Sequence, residues 1–208
     1  MFQIIKSSIQ IRDRFVINLI PLSENLRFYD CGYSRFIVGF GSFISEDFDI
    51  KNSLFTVTTT KEFNLNDITG GMVIEMPGFC FAEQYMAILN ASLVGNLSYI
   101  DGCSNSNIIS PPRNGDPCLN YLYFPKNINQ TFHTHPSLRI GFITSGRGIA
   151  ETTDEKFNLE KGDVFILDRY ARHRFKTNNS HMSLVAFHPD SEDGPRDEHN
   201  PMKSRTHI

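Results

Sequence analysis

Three histidines carry the chemistry that this sequence offers most directly. His133 and His135 are separated by one residue, and His173 follows a Gly162-Asp163 pair. Alternate side chains of a β-strand leave the same face, so an extended His133-Thr134-His135 presents both imidazoles to one side. Antiparallel folds bring distant strands together, which lets a third imidazole converge on the first two. Three neutral imidazoles suit a borderline divalent ion (Fe, Zn, Ni, Cu or Co) and leave positions open for water, substrate or dioxygen. A lone histidine is more often a satisfied core or surface group. An HxH pair with a third histidine behind a GD turn is a much more specific signal. All seven histidines lie from His133 onward, so the preceding part of the chain cannot build such a site.

The elements that must position these residues read as strands. Short runs rich in Phe, Ile, Val and Thr recur at 15–20, 36–40, 55–59, 72–76, 85–89, 119–124, 130–135, 140–144, 149–152, 156–159, 164–167 and 183–187. Turn signals separate them, among them Gly70-Gly71, Pro77-Gly78, Ser145-Gly146-Arg147-Gly148 and the stretch 160–163. Many short strands with frequent turns predict an all-β sandwich or barrel. Residues 23–28 read as a short helical turn, and 84–91 as a strand with a helix as its rival. Residues 102–117, with adjacent Pro111 and Pro112, read as a loop and divide the chain into halves.

Composition narrows the function classes. The chain has 208 residues, enough to bury a core without staples, and a net charge of −3. That balance gives no basic field for nucleic acid and no polybasic patch for a membrane surface. No run of 18 apolar residues marks a membrane span, and polar residues break every apolar stretch near the start, so a cytoplasmic protein is expected. The four cysteines (Cys31, Cys80, Cys103, Cys118) form no CxxC pair and are expected as reduced structural thiols, with pairing of Cys103 and Cys118 across the loop as the alternative.

The segment 133–148, HTHPSLRIGFITSGRG, resembles the first conserved motif of the cupins, an HxH pair followed by a Glu and then a Gly. The segment 162–175, GDVFILDRYARHRF, resembles the second, which opens with GD and places a His eleven residues after its Gly. The resemblance covers about residues 115–190. It implies a double-stranded β-helix (jelly-roll) barrel holding one divalent metal ion, with His133, His135 and His173 as ligands. The chain departs from the pattern at one position, where Arg139 stands in place of the ligand Glu. An arginine cannot ligate and stays charged, so the resemblance points to a three-histidine variant. Such sites occur in Fe(II) cupin dioxygenases. Arg172 and Arg174 flank His173 and are expected at the surface.

The expected organisation is a β-rich structural half over 1–110, with the stretch 63–79 echoing a degenerate cupin; a metal-binding barrel over 111–190; and a polar tail over 191–208 that either trails away or folds back over the site. The expected function is oxidation of a small polar or anionic metabolite at a three-histidine Fe(II) site. Arg139 is the candidate catalytic residue, its planar fork suited to a carboxylate or phosphate; a structural ion pair is its other reading. Zn(II) in a non-redox isomerase, lyase or bond-forming enzyme is one alternative, and a non-catalytic small-molecule sensor another. The partners expected are a small-molecule substrate and a second copy of the chain. Tyr121, Tyr123, Phe132 and Phe142, and less strongly Tyr170, are open between cavity lining and core. Gln130, an odd number of residues from His133, is expected to face away from the histidines. His181 and His188, at either end of the last strand, are expected at the surface or behind the ligands.

Overall fold

The computed structural model describes residues 1–81, 83–88, 94–113 and 115–190. The expectation for the tail over 191–208 lies outside the described residues. Among the described residues sixteen strands run in chain order: β1 (Phe2–Ile5), β2 (Ile9–Arg12), β3 (Val16–Leu22), β4 (Leu26–Phe28), β5 (Arg35–Ile44), β6 (Asp49–Thr59), β7 (Phe63–Glu75), β8 (Gln84–Ile88), β9 (Leu97–Ser98), β10 (Ser104–Ile109), β11 (Cys118–Phe124), β12 (Arg139–Thr152), β13 (Lys156–Glu160), β14 (Val164–Leu167), β15 (His173–Lys176) and β16 (Met182–His188). A single 3-10 turn, Ile100–Gly102, is the only helical element among the described residues. The all-β jelly-roll expected from the strand pattern is what the chain adopts.

The strands form two large sheets. One has the order β2-β3-β7-β5-β6-β8, with β4 on β7. The other has the order β1-β14-β12-β16-β11-β10-β9, with β13 and β15 attached to the far half of β12. The sheets do not divide the chain at residue 110. The first strand, β1, pairs antiparallel with β14, and β9 and β10 join β11, so residues before 110 help build the sheet that carries the histidines.

Three cores explain why so many strands read as continuous apolar runs. Strand β14 is buried at all four residues. Its Val164 and Ile166 face the core shared by the two sheets, while Phe165 and Leu167 face a second core inside the histidine-bearing barrel. The same alternation places Val185 and Phe187 of β16 between the sheets, and Leu184 and Ala186 inside the barrel. The sheets meet through ring contacts such as Phe36–Phe187 at 4.9 Å and Phe40–Phe142 at 5.8 Å. A third core lies on the other face of the N-terminal sheet, filled by Phe43, Phe55, Phe63 and Leu65. Each such side chain contributes about 1.5–3 kcal/mol by leaving water. The N-terminal interior is thus packed with phenylalanine where the C-terminal one holds imidazoles.

Several local expectations change. Ser145–Gly148 is no turn: β12 runs unbroken from Arg139 to Thr152. Its first half pairs with β14 and β16, and its second half with β13 and β15. A register shift between Ile143 and Ser145 and a left-handed Gly146 (φ +69°) let one strand serve both layers. Gly70-Gly71 likewise lies inside β7, where a Cβ at Gly71 would come 2.4 Å from the Val38 carbonyl oxygen. The 63–79 stretch is therefore one long strand and its following turn. The presumed loop 102–117 contains β10, residues 26–28 form β4 instead of a helical turn, and 84–88 is a strand. No disulfide forms among the four cysteines.

The strand carrying His173 is tied to β12 by charge. Glu151 on β12 meets Lys176 (2.6 Å) and Arg174 (2.8 Å) of β15 and Lys156 (3.3 Å) of β13. The Lys176 ammonium and then the Arg174 guanidinium hold the Glu151 carboxyl down at about 2, against 4.5 when unperturbed. With the folded value below the unfolded one, the stabilisation is fully present above pH 4.5 and is lost as pH falls toward 2. Urea unfolding is expected to show Glu151→Gln less stable than the parent at pH 6, with the gap narrowing steadily as pH falls below 4.5. A gap that stays constant with pH would assign the role of Glu151 to packing.

Candidate metal centre

His133 and His173 face each other across the barrel mouth. Each backbone N–H donates to the other's carbonyl, at 2.9 and 3.0 Å, as an isolated antiparallel bridge. Residues 130–135 do not form the expected strand. The Gln130 side-chain oxygen takes the Phe175 N–H at 3.1 Å, a bond that a regular ladder would give to a backbone carbonyl, and Pro136 has no N–H to continue pairing. Strand parity therefore does not govern the segment, and Gln130, fully buried, lines the same cavity as the histidines.

The three imidazoles converge. Ring centroids are 4.4 Å apart for His133–His173, 5.1 Å for His133–His135 and 5.2 Å for His135–His173, and one nitrogen from each lies within 4.8 Å of the others. The Nδ1–H of His133 donates to the Thr131 carbonyl and that of His173 to the Ala171 carbonyl, both at 2.9 Å. These bonds leave Nε2 as the ligating atom on both rings. Thr131 is itself held by the Asp101 carboxylate, which accepts its N–H at 2.6 Å and its hydroxyl at 2.9 Å. The chain therefore supplies a carboxylate support behind His133.

The set fits a metal ion on two further observations. His173 Nε2 is buried with no hydrogen-bond partner, the state of a donor atom whose partner is an ion. Burial also favours the neutral imidazoles that ligation needs: it pushes His135 down to about 4 and His173 to about 3, and lowers His133. The cavity between them is tight, about 30 Å³, and walled by rings such as Phe124, Phe165 and Phe175. A more open concavity of about 650 Å³ near Arg147 and Lys176 contains no imidazole.

Arg139 lines the histidine cavity and is 4% exposed. Its Nη1 donates to the carbonyls of Ser137 (3.1 Å) and Leu138 (2.8 Å) and to the Ser137 hydroxyl (2.5 Å). That hydroxyl in turn donates to Asp190. Burial lowers the guanidinium to about 10, which leaves it cationic at neutral pH.

The other candidates sort by sheet face. Tyr121 and Phe142 belong to the core between the sheets. Tyr123 stacks on His181, and Phe132 lies under the Arg172 and Arg174 guanidinia. Tyr170 is 60% exposed and does not line the cavity. Arg172 is exposed and Arg174 half-buried, close to expectation. His188 is not at the surface: it is 7% exposed and lines the cavity beside the ligand histidines. The alternation Leu184, Ala186, His188 along β16 was the available signal. Tyr99 also lines the cavity, from a segment with no sequence cue.

Comparison with known proteins agrees with this geometry. Residues 121–188 match the family model described as "Cupin domain". No curated protein sequence matches. Among solved structures, a cupin 2 conserved barrel domain protein from Leptotrichia buccalis aligns with TM-score 0.59 at 16% identity, over 89% of this chain and 88% of that one. A glyoxylate-induced protein (so described with reservation) from Pseudomonas aeruginosa aligns with TM-score 0.62 at 14% identity, over 88% and 76%. A salicylate 1,2-dioxygenase from Pseudaminobacter salicylatoxidans aligns with TM-score 0.56 at 10% identity, over 88% and 76%. Such identities speak for the fold alone. With the two motifs, the jelly-roll and the inward-facing histidine cluster, they show a cupin fold in which residues 121–188 match the cupin domain.

Proposed function

We propose that the protein is a metal-dependent enzyme that oxidises a small polar or anionic metabolite, with one Fe(II) held by His133, His135 and His173. The observation that carries this reading is the convergence of three imidazoles in a tight cavity, with two of them oriented through Nδ1–H bonds to leave Nε2 inward. When bound, the ion supplies the redox chemistry that side chains lack. The similarity in fold to a salicylate 1,2-dioxygenase supports a dioxygenase-like reaction. The chain's own part is positional: Arg139 orients an anionic group, and the phenylalanine wall keeps water out, which strengthens every polar contact inside.

Metal analysis of protein purified without added metal, paired with oxygen uptake, tests this. One equivalent of iron and metabolite-dependent oxygen uptake, both lost in His133→Ala, is the expected result. One equivalent of zinc without oxygen uptake would replace the reading with a Lewis-acid enzyme. Protein that holds no metal even on titration would replace it with a small-molecule sensor.

A further inference from the structure

Two of the three imidazoles are oriented by backbone carbonyls, but on different footings. His173 opens a regular strand, β15, and its Nδ1–H meets the Ala171 carbonyl. His133 belongs to no strand and is tied to His173 by an isolated bridge. Two residues before it, Thr131 stands outside the ladder. Its carbonyl accepts the His133 Nδ1–H, and its N–H goes to the Asp101 carboxylate. Both backbone groups of Thr131 are thus taken by side chains, so the orientation of His133 depends on what holds this peptide.

What holds it is the turn 99–103 between β9 and β10, and three alternate residues of that turn reach the site. Tyr99 lines the cavity. One oxygen of Asp101, Oδ2, accepts both the N–H of Thr131 at 2.6 Å and its hydroxyl at 2.9 Å. Cys103 Sγ accepts from the side-chain amide of Gln130 at 3.5 Å, and the oxygen of that amide takes the Phe175 N–H of β15. Asp101 itself has a left-handed backbone (φ +53°), a conformation that Asp and Asn tolerate better than other non-glycine residues. The turn therefore clamps both residues 130 and 131 from outside the ligand set.

We propose that Asp101 is a positioning residue of the metal centre: by fixing the Thr131 peptide it keeps His133 in the Nδ1–H tautomer, with Nε2 as the ligating atom. Asp101 is exposed, where salt screens its charge, so hydrogen bonding to Thr131 carries the effect. This deepens the reading above and rests on it only for the effect on metal affinity. The tautomer of His133 is a property of the metal-free protein.

The test is nitrogen-15 NMR of the histidine rings in the metal-free full-length protein, with zinc titration alongside. The parent is expected to show His133 and His173 each protonated on Nδ1. Asp101→Ala is expected to turn His133 into a mixture of tautomers, to leave His173 unchanged, and to weaken zinc binding about 10- to 100-fold. Asp101→Asn suits the left-handed turn and keeps one oxygen able to accept both Thr131 bonds, so it is expected to match the parent within about threefold. An Ala variant with the parent's tautomer and zinc affinity overturns the proposal, as does a parent whose His133 already mixes tautomers. A variant in which His133 and His173 change together also overturns it, because Asp101 would then serve the fold at large. An Asn variant as impaired as the Ala one does the same, because the bonds to Thr131 would not be the cause. A parent that takes no zinc refutes the metal reading instead, and the tautomers of His133 still decide the role of Asp101.

Discussion

His173→Leu is expected to abolish metal retention while leaving the metal-free protein as stable as the parent or slightly more so. The ring is 1% exposed, and its Nε2 is buried without a partner. Leaving a buried polar atom unpaired costs about 1–3 kcal/mol, whereas the Nδ1–H bond to the Ala171 carbonyl returns about 0.5–1.5 kcal/mol. Leucine removes both terms and keeps apolar contact with the neighbouring Phe175 ring, which lies 5.6 Å from the imidazole. The net change is a gain of about 0–2 kcal/mol, or a melting temperature that stays level or rises by roughly 2–8 °C in a chain of this size. Outer supports of a metal site are worth about 10- to 100-fold in affinity, so removing a ligand itself is expected to cost more than about 100-fold. Metal content by mass spectrometry and melting of the metal-free proteins measure the two halves. A strongly destabilised variant that keeps its metal would make His173 a core residue and not a ligand.

Gly146→Ala is expected to be the most destabilising conservative change in the histidine-bearing barrel. A Cβ built there would stand 1.9 Å from the His181 carbonyl oxygen and 2.8 Å from its carbon, and the backbone is at φ +69°. The left-handed conformation alone costs a non-glycine residue about 1 kcal/mol. The clash is with backbone, so relief requires β12 to move off β16, where Gly146 registers with Met182. Together these place the loss at about 3–5 kcal/mol, in the range of the severe point mutations. That corresponds to a fall of roughly 6–20 °C in melting temperature. Thermal unfolding followed by circular dichroism checks it; a fall of under about 3 °C would show that the strand can shift without cost. The consequence reaches the metal centre, because the half of β12 beyond Gly146 pairs with β15, with Thr152 opposite His173.

Most strands were legible because their alternation reports two buried faces. The runs at 164–167 and 183–187 were placed to within a residue, since Val164 and Val185 serve one core while Phe165 and Leu184 serve another. The ligand trio was legible for a different reason: spacing and residue type alone nominate His133, His135 and His173, and the structure brings all three together. Errors arose where a side chain replaced a backbone partner or where glycine let a strand continue. Gln130 was set aside by a parity rule that its own hydrogen bond to Phe175 N–H makes inapplicable. Ser145–Gly148 read as a turn because glycine-rich stretches usually are, whereas here Gly146 lets one strand pass from one layer to the next.

By itself the sequence determined the all-β class, the absence of histidine chemistry from the first half of the chain, and the identity of three converging imidazoles. Each follows from local periodicity or from residue type, which need no knowledge of neighbours. Only the tertiary structure decided that β1 completes the histidine-bearing sheet, that the N-terminal core is filled with phenylalanine, and that Arg139 and His188 line the same cavity as the three histidines. Those outcomes depend on which distant strands pair and in what register, and a shift of one residue would turn each of these side chains to the opposite face.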